Sequence, residues 1–228
     1  MPKLCDYLRL YLITDGRLRS PDELGVLVDQ ALRGGVTSVQ LREKSATRAQ
    51  IFQYLSTLKP LCDAHGALLF LNAGSWFPDL SPEMLHGVHL QSSTWSPAQP
   101  TELAQWLEKN AGLHTIYSAH SVDEAKSVFE RGIPAVTLSP IYPTPSKQGI
   151  LAPLGPSTIA QARRECPGAT IVALGGINLA TAAEIIRYGA DGIAMIRAIL
   201  EAPNVELAAR SLRSLVDSAL NEQRNFST

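Results

Sequence analysis

The chain has 228 residues, 45% hydrophobic, with 20 basic against 21 acidic side chains and a formal net charge of −1. It is long enough to bury a sizeable core, but balanced charge gives no footprint for nucleic acid or an anionic membrane, and no apolar run could span a bilayer. Three scattered cysteines, Cys5, Cys62 and Cys166, imply neither a disulfide framework nor a zinc site, and with no charged-then-apolar leader the expectation is a cytoplasmic protein.

Strand-like and helix-like patterns alternate throughout. Leu10-Tyr11-Leu12-Ile13-Thr14 reads as a first strand, closed by Asp15-Gly16. Leu24, Leu27, Val28, Ala31 and Leu32 then repeat at helical spacing up to Gly34-Gly35. Ser38 to Leu41 is a second strand, and Ile51, Tyr54, Leu55 and Leu58 mark a second helix. Leu68 to Leu71, Val88 to Leu90, Thr115 to Tyr117 and Ala135 to Leu138 give four more strands. The third unit is the weakest, because Trp76-Phe77-Pro78 leaves room for only a short or irregular helix. Helical stripes follow at Val122, Ala125, Val128 and Phe129, and at Ala182, Ile185 and Ile186. Ile171 to Leu174, ended by Gly175-Gly176, and Gly192 to Ile196 complete the strands, and a last helix carries Leu207, Leu212, Leu215 and Val216.

Eight strand–helix units with no linker predict an α/β fold, a single (β/α)8 TIM barrel over residues 1–228. An open doubly wound sheet is disfavoured, because no G-x-G-x-x-G follows the first strand. A barrel's active site lies at the C-terminal ends of its strands.

Gly175-Gly176 and the turn after the eighth strand suggest a phosphate grip of backbone N–H groups, or else only tight turns. Alternation puts Gln40 and Arg42 inside the barrel mouth with Lys44 above, a set able to hold a phosphate or diphosphate unless Glu43 neutralises it. Asn72 could be a ligand amide or a turn former, and His89 a hydrogen-bonded core residue. His120, after Ser118-Ala119 and before a helix start, is the best general acid/base, against a role in capping or packing alone. The run Ser139 to Gly149, with Thr144 and Lys147, fits a lid over an anionic ligand or an unordered loop.

Six motifs now line up in order: Leu12-Ile13-Thr14-Asp15, Val39-Gln40-Leu41-Arg42-Glu43-Lys44, Gly87-Val88-His89-Leu90, Ser118-Ala119-His120, Ser139-Pro140-Ile141-Tyr142-Pro143-Thr144 with Lys147, and Ala173-Leu174-Gly175-Gly176-Ile177. With them the chain resembles the thiamine phosphate synthase/TenI family from Tyr11 to about Leu215. A synthase of that family joins an aminopyrimidine diphosphate to a thiazole phosphate and releases pyrophosphate. The resemblance implies that Gln40, Arg42, Lys44, Asn72, Ser118 and Lys147 face the diphosphate, and Thr144, Gly175 and Gly176 the thiazole phosphate.

Synthases also carry one Asp after the third-strand Asn and another beyond the fourth strand, which hold magnesium. Here those positions are Ala73 and Thr94, and neither supplies a carboxylate. The TenI branch lacks that pair and has a Ser-rich segment like Leu90-Gln91-Ser92-Ser93-Thr94-Trp95-Ser96-Pro97. Its characterised members aromatise a carboxythiazole phosphate by a proton shift, which places the acid/base on His120 and needs no metal and no cofactor. The resemblance thus points first to a thiazole tautomerase. The second reading is a thiamine phosphate synthase, an Mg2+-dependent transferase, and the third a non-catalytic regulator that binds thiazole or thiamine phosphates. Arg197 stands where the family usually has Ser beside the thiazole phosphate, so it grips phosphate or blocks the pocket. The expected partner is a small phosphorylated heterocycle, with no nucleic acid or membrane, and a homo-oligomer stays open.

Overall fold

The computed structural model describes residues 2–17, 19–92, 101–144 and 151–226. Eight parallel strands close into a barrel in sequence order. They are β1 (Leu10–Ile13), β2 (Ser38–Leu41), β3 (Leu68–Asn72), β4 (Gly87–Leu90), β5 (His114–Ala119), β6 (Ala135–Leu138), β7 (Thr170–Leu174) and β8 (Gly192–Met195). Ile13 pairs with Gln40 on one side of β1, and Leu12 with Met195 closes the ring on the other. The expected (β/α)8 barrel is the observed fold.

Period-two alternation divides the apolar residues between two cores. Tyr11, Ile13, Phe70, Ile116, Val172 and Ala194 fill the barrel interior. Leu10, Leu12, Val39, Leu41, Leu69 and Leu71 face outward into the larger core under the helices. Fully burying one such aliphatic side chain contributes roughly 1.5–3 kcal/mol.

The helices are α1 (Leu4–Tyr7), α2 (Pro21–Arg33), α3 (Arg48–Ala64), α4 (Glu102–Lys109), α5 (Val122–Glu130), α6 (Ser157–Glu165), α7 (Ala182–Arg187), α8 (Arg197–Leu200) and α9 (Val205–Phe226). Several starts are written in the local sequence. Ser20 accepts from the Glu23 N–H while the Glu23 carboxylate reaches back to Ser20, with Pro21 at the first helical position. Thr47 and Gln50 repeat that arrangement at α3.

Two expectations meet the structure differently. Between β3 and β4 there are only two short 3-10 turns, Ala73–Ser75 and Pro82–Met84, as Trp76-Phe77-Pro78 led one to expect. The buried stripe of α9 is Val205, Ala209, Leu212, Val216 and Ala219, and Leu207 lies outside it, 56% exposed. Spacings of four and three residues select one helix face, and Leu207 falls off that face.

At the floor of the barrel, Arg163 donates to the carbonyls of Gly189, Ala169 and Pro167 and pairs with Asp191. Asp191 in turn accepts from the Ile171 N–H at 2.8 Å. That clamp holds the entries to β7 and β8 in register, so that both strands deliver their C-terminal ends to the mouth.

Candidate active site

A cavity of about 850 Å3 opens at the C-terminal ends of the strands. Gln40, Arg42, Lys44, Asn72, Ser118, His120, Thr144, Gly175, Gly176 and Arg197 all line it. Lys147 lies outside the described residues, as do Thr94, the rest of the Ser-rich segment from Ser93 to Pro97, and the tip of the expected lid.

Alternation along β2 explains the floor. Gln40 is buried in the barrel, and Arg42 follows two residues later on the same side. The Arg42 N–H donates to the Thr14 hydroxyl at 2.8 Å, tying the ends of β1 and β2 together. Burial lowers the Arg42 pKa and the nearby Glu43 opposes that shift, and the guanidinium stays a cation. Glu43 itself points away, buried, with a carboxylate oxygen accepting from the Gly16 N–H at 3.3 Å. It does not project into the cavity beside Arg42 and Lys44.

At β3 the Asn72 side-chain oxygen accepts from the Gly74 N–H at 3.1 Å and caps the turn Ala73–Ser75. Asn72 therefore forms the turn and lines the cavity at once. Ala73, at the position of the missing Asp, is a buried methyl group, 5% exposed.

The β4 His89 is buried, with Nδ1 at 3.0 Å from the Tyr11 hydroxyl and Nε2 at 3.4 Å from the Thr137 hydroxyl. Burial first, then the Arg42 charge, push its pKa down to about 3, so the ring is neutral. This is the core-histidine role, although the ring also reaches the cavity wall.

His120, just past β5, is fixed at both backbone and ring. Its N–H donates to Glu124 Oε2 at 2.7 Å, and Glu124 Oε1 accepts from the Tyr117 hydroxyl at 2.8 Å. The ring Nδ1 lies 2.7 Å from the Ser139 carbonyl oxygen. A carbonyl can only accept, so Nδ1 carries a hydrogen, and in the neutral ring Nε2 is the basic nitrogen.

The opposite wall is made of backbone. The chain after β6 lies across the end of β7, with Ile141 N–H donating to Leu174 O and Tyr142 N–H to Gly175 O, both at 3.0 Å. Gly175 and Gly176 have φ of +100° and +68°, and a Cβ on Gly176 would sit 2.7 Å from the Pro143 oxygen. Tight-turn geometry thus requires both glycines. Among the described residues no backbone hydrogen bond uses the Gly175 or Gly176 N–H, which leaves these donors for a ligand.

The rim adds residues that the strand-end reading missed. Asp15, whose side chain is 5% exposed, accepts from Arg19 and has Arg17 Nε 3.2 Å from its second oxygen, near enough for an ion pair without an aligned hydrogen bond. Arg17 also pairs with Glu201 after α8, and Arg197 stands exposed beside it on the cavity wall. The cavity therefore sees Arg17, Arg42, Lys44 and Arg197 against Asp15, the sole carboxylate among its described lining residues. The excess of cations selects an anion.

Fold and cavity together define a (β/α)8 barrel whose catalytic end carries a cationic pocket. Within that class the chain belongs to the thiamine monophosphate synthase family, whose profile matches residues 10–199. A thiamine-phosphate synthase of Chloroflexus aurantiacus is 35% identical over 209 residues, 91% of this chain and 92% of the relative. One from Pyrococcus horikoshii is 30% identical over 217 residues, 93% of this chain and 97% of the relative. The solved thiamine phosphate pyrophosphorylase from Pyrococcus furiosus matches with a TM-score of 0.81 at 28% identity, covering 96% of this chain and 100% of that one. The names favour the synthase over the tautomerase put first in the sequence reading, and they do not distinguish the TenI branch.

Proposed function

We propose that this chain is an enzyme of thiamine biosynthesis that binds a thiazole phosphate and shifts a proton on its ring, with His120 as acid/base. The observation that carries this reading is the His120 Nδ1 contact with the Ser139 carbonyl, which leaves Nε2, without a partner among the described residues, as the basic nitrogen of a cavity-lining residue. In the reaction Nε2 takes a proton from one ring position and returns it at another, so no electron or water is consumed. Arg42 faces the charge that develops as the proton leaves, and the Gly175 and Gly176 N–H groups face the phosphate.

A second reading, the joining of an aminopyrimidine diphosphate to the thiazole phosphate, is favoured by the names of the relatives and by the cations Arg42 and Lys44 beside the Gln40 amide. The magnesium that the resemblance implies for that reaction finds a poor donor set among the described residues. Ala73 offers a methyl group, the Asn72 oxygen is engaged by Gly74, and Asp15 is tied to two arginines. A hard divalent cation is best held by several carboxylate oxygens, and these residues do not fit it.

One assay separates the readings. The proton shift predicts that purified enzyme aromatises a carboxythiazole phosphate, followed by ultraviolet absorbance, at a rate indifferent to chelator. Formation of thiamine phosphate from the pyrimidine diphosphate and thiazole phosphate, lost with chelator, would replace it with the synthase. Tight binding of thiamine phosphate with neither turnover would leave a regulatory binding barrel.

A further inference from the structure

Beneath the cavity floor lies a chain of polar groups that the proton shift does not use. Gln40 Nε2 donates to the Tyr11 hydroxyl oxygen at 3.3 Å, the Tyr11 hydroxyl faces His89 Nδ1 at 3.0 Å, and His89 Nε2 faces the Thr137 hydroxyl at 3.4 Å. All four residues are buried, on β1, β2, β4 and β6. The Tyr11 ring is held by an edge contact with Phe70 and stacks on His89.

Hydrogen bookkeeping fixes the polarity of this chain. The Tyr11 oxygen accepts from Gln40, and among the described residues His89 Nδ1 is the one acceptor left for its own hydrogen. A neutral imidazole has one N–H, which then sits on Nε2 and faces Thr137. Burial pushes the Tyr11 phenol well above its usual value and keeps His89 neutral, so neither group breaks the pattern by ionising. Turning the Gln40 amide over would put its oxygen against Tyr11. Tyr11 would then have to donate to Gln40, and His89 would have to move its hydrogen to Nδ1. Every bond in the chain reverses together or a buried group is left unpaired.

We infer that Tyr11, His89 and Thr137 are positioning residues that determine which end of the Gln40 amide meets the ligand. The inference rests on the reading that the site takes a thiamine-type phosphate, whose heterocycle rather than its phosphate meets the Gln40 oxygen. An amide with its Nε2 held inward keeps its oxygen on the other arm, so the cavity meets an acceptor of fixed placement in an otherwise cationic wall.

The test has two arms. In the first, 15N spectra of the full chain report which His89 nitrogen is protonated. The wild type should carry the hydrogen on Nε2. Gln40→Glu puts a carboxylate, an acceptor only, against Tyr11, and should move the hydrogen to Nδ1. A wild-type His89 protonated at Nδ1, or a tautomer unchanged by Gln40→Glu, overturns the inference. The second arm measures thiamine phosphate binding by calorimetry. Tyr11→Phe keeps the ring packing, removes the hydroxyl, and should weaken binding roughly threefold to tenfold, the scale of one hydrogen bond. In a Gln40→Met background that loss should vanish, because the effect passes through Gln40. A loss of the same size in both backgrounds makes Tyr11 a packing residue and overturns the inference. A wild type that ignores thiamine phosphate would sink the functional reading, while the tautomer arm still decides the chain.

Discussion

The two walls of the cavity are built from different materials. On the β2–β4–β5 side, the wall is made of side chains, each held by a partner: Gln40 by Tyr11, His89 by Tyr11 and Thr137, His120 by Ser139 and Glu124. On the β7 side it rests on the absence of side chains, where Gly175 and Gly176 fold under the Tyr142–Pro143 backbone. The first wall offers defined donor and acceptor positions, and the second offers space. Losing a side chain there removes chemistry, whereas gaining one here removes room.

The largest expected effect tests the side-chain wall. His120→Asn retains a polar group but no titratable base. If His120 moves the proton, the rate of aromatisation should fall about a hundredfold to ten-thousandfold, the usual contribution of a positioned general base. Binding of the aromatic product should survive. A variant that keeps its rate would reduce His120 to a residue at a helix start.

Gly176→Ala tests the other wall. Its φ of +68° lies in the left-handed region, and the new methyl would meet the Pro143 oxygen and the Tyr142 Cβ at 2.7 Å. Strain of this kind costs on the order of 1–3 kcal/mol. It should appear as weaker thiazole phosphate binding and a lower Tm, with the pH profile of turnover unchanged. Unaltered affinity would show that the phosphate does not use this turn.

The contrast also explains what was legible in the sequence. The barrel was readable because eight short apolar runs end in turn formers, and even the irregular third unit follows from Trp76-Phe77-Pro78. Gln40, Arg42 and Lys44 converge as period two requires, and the glycine pair announces its turn. The hidden parts are those fixed by backbone or by distant partners. The acceptor for His120 is a main-chain carbonyl from another strand end, which no side-chain pattern reveals. Tyr11 reads as one more apolar strand residue, yet alternation sends its hydroxyl into the barrel to meet His89. Asp15 and Arg17 sit on an aperiodic loop, where spacing says nothing about facing.

Acid should act on the side-chain wall through His89. Its folded pKa, about 3, lies below its ordinary 6.5, so between these values the unfolded chain binds a proton that the folded chain refuses. Stability from this residue is therefore present above about 6.5 and lost as pH falls towards 3, at roughly 1.4 kcal/mol per pH unit. Arg42 is the cation facing the ring, and it keeps its charge over this window. Lowered groups elsewhere, such as Glu23, Asp63 and His86, contribute equally to wild type and variant. Urea midpoints of wild type and His89→Asn should converge on acidification, and parallel curves would show that His89 is not the group that resists protonation.

The smallest effect belongs where the two materials meet. Arg197 opens α8 beside the glycine wall, but its side chain is exposed, and Arg17 holds a second cation on the same rim through Asp15 and Glu201. An exposed cation interacts through solvent and salt, which limits such contacts to about 1 kcal/mol or less. Arg197→Ser should therefore weaken thiazole phosphate binding only severalfold, and the difference should shrink in high salt. If Arg197 instead blocked the pocket, the smaller serine would strengthen binding and salt would matter little. The sign of that one change, read by calorimetry at two ionic strengths, decides whether the rim cation assists the backbone grip or stands in its way.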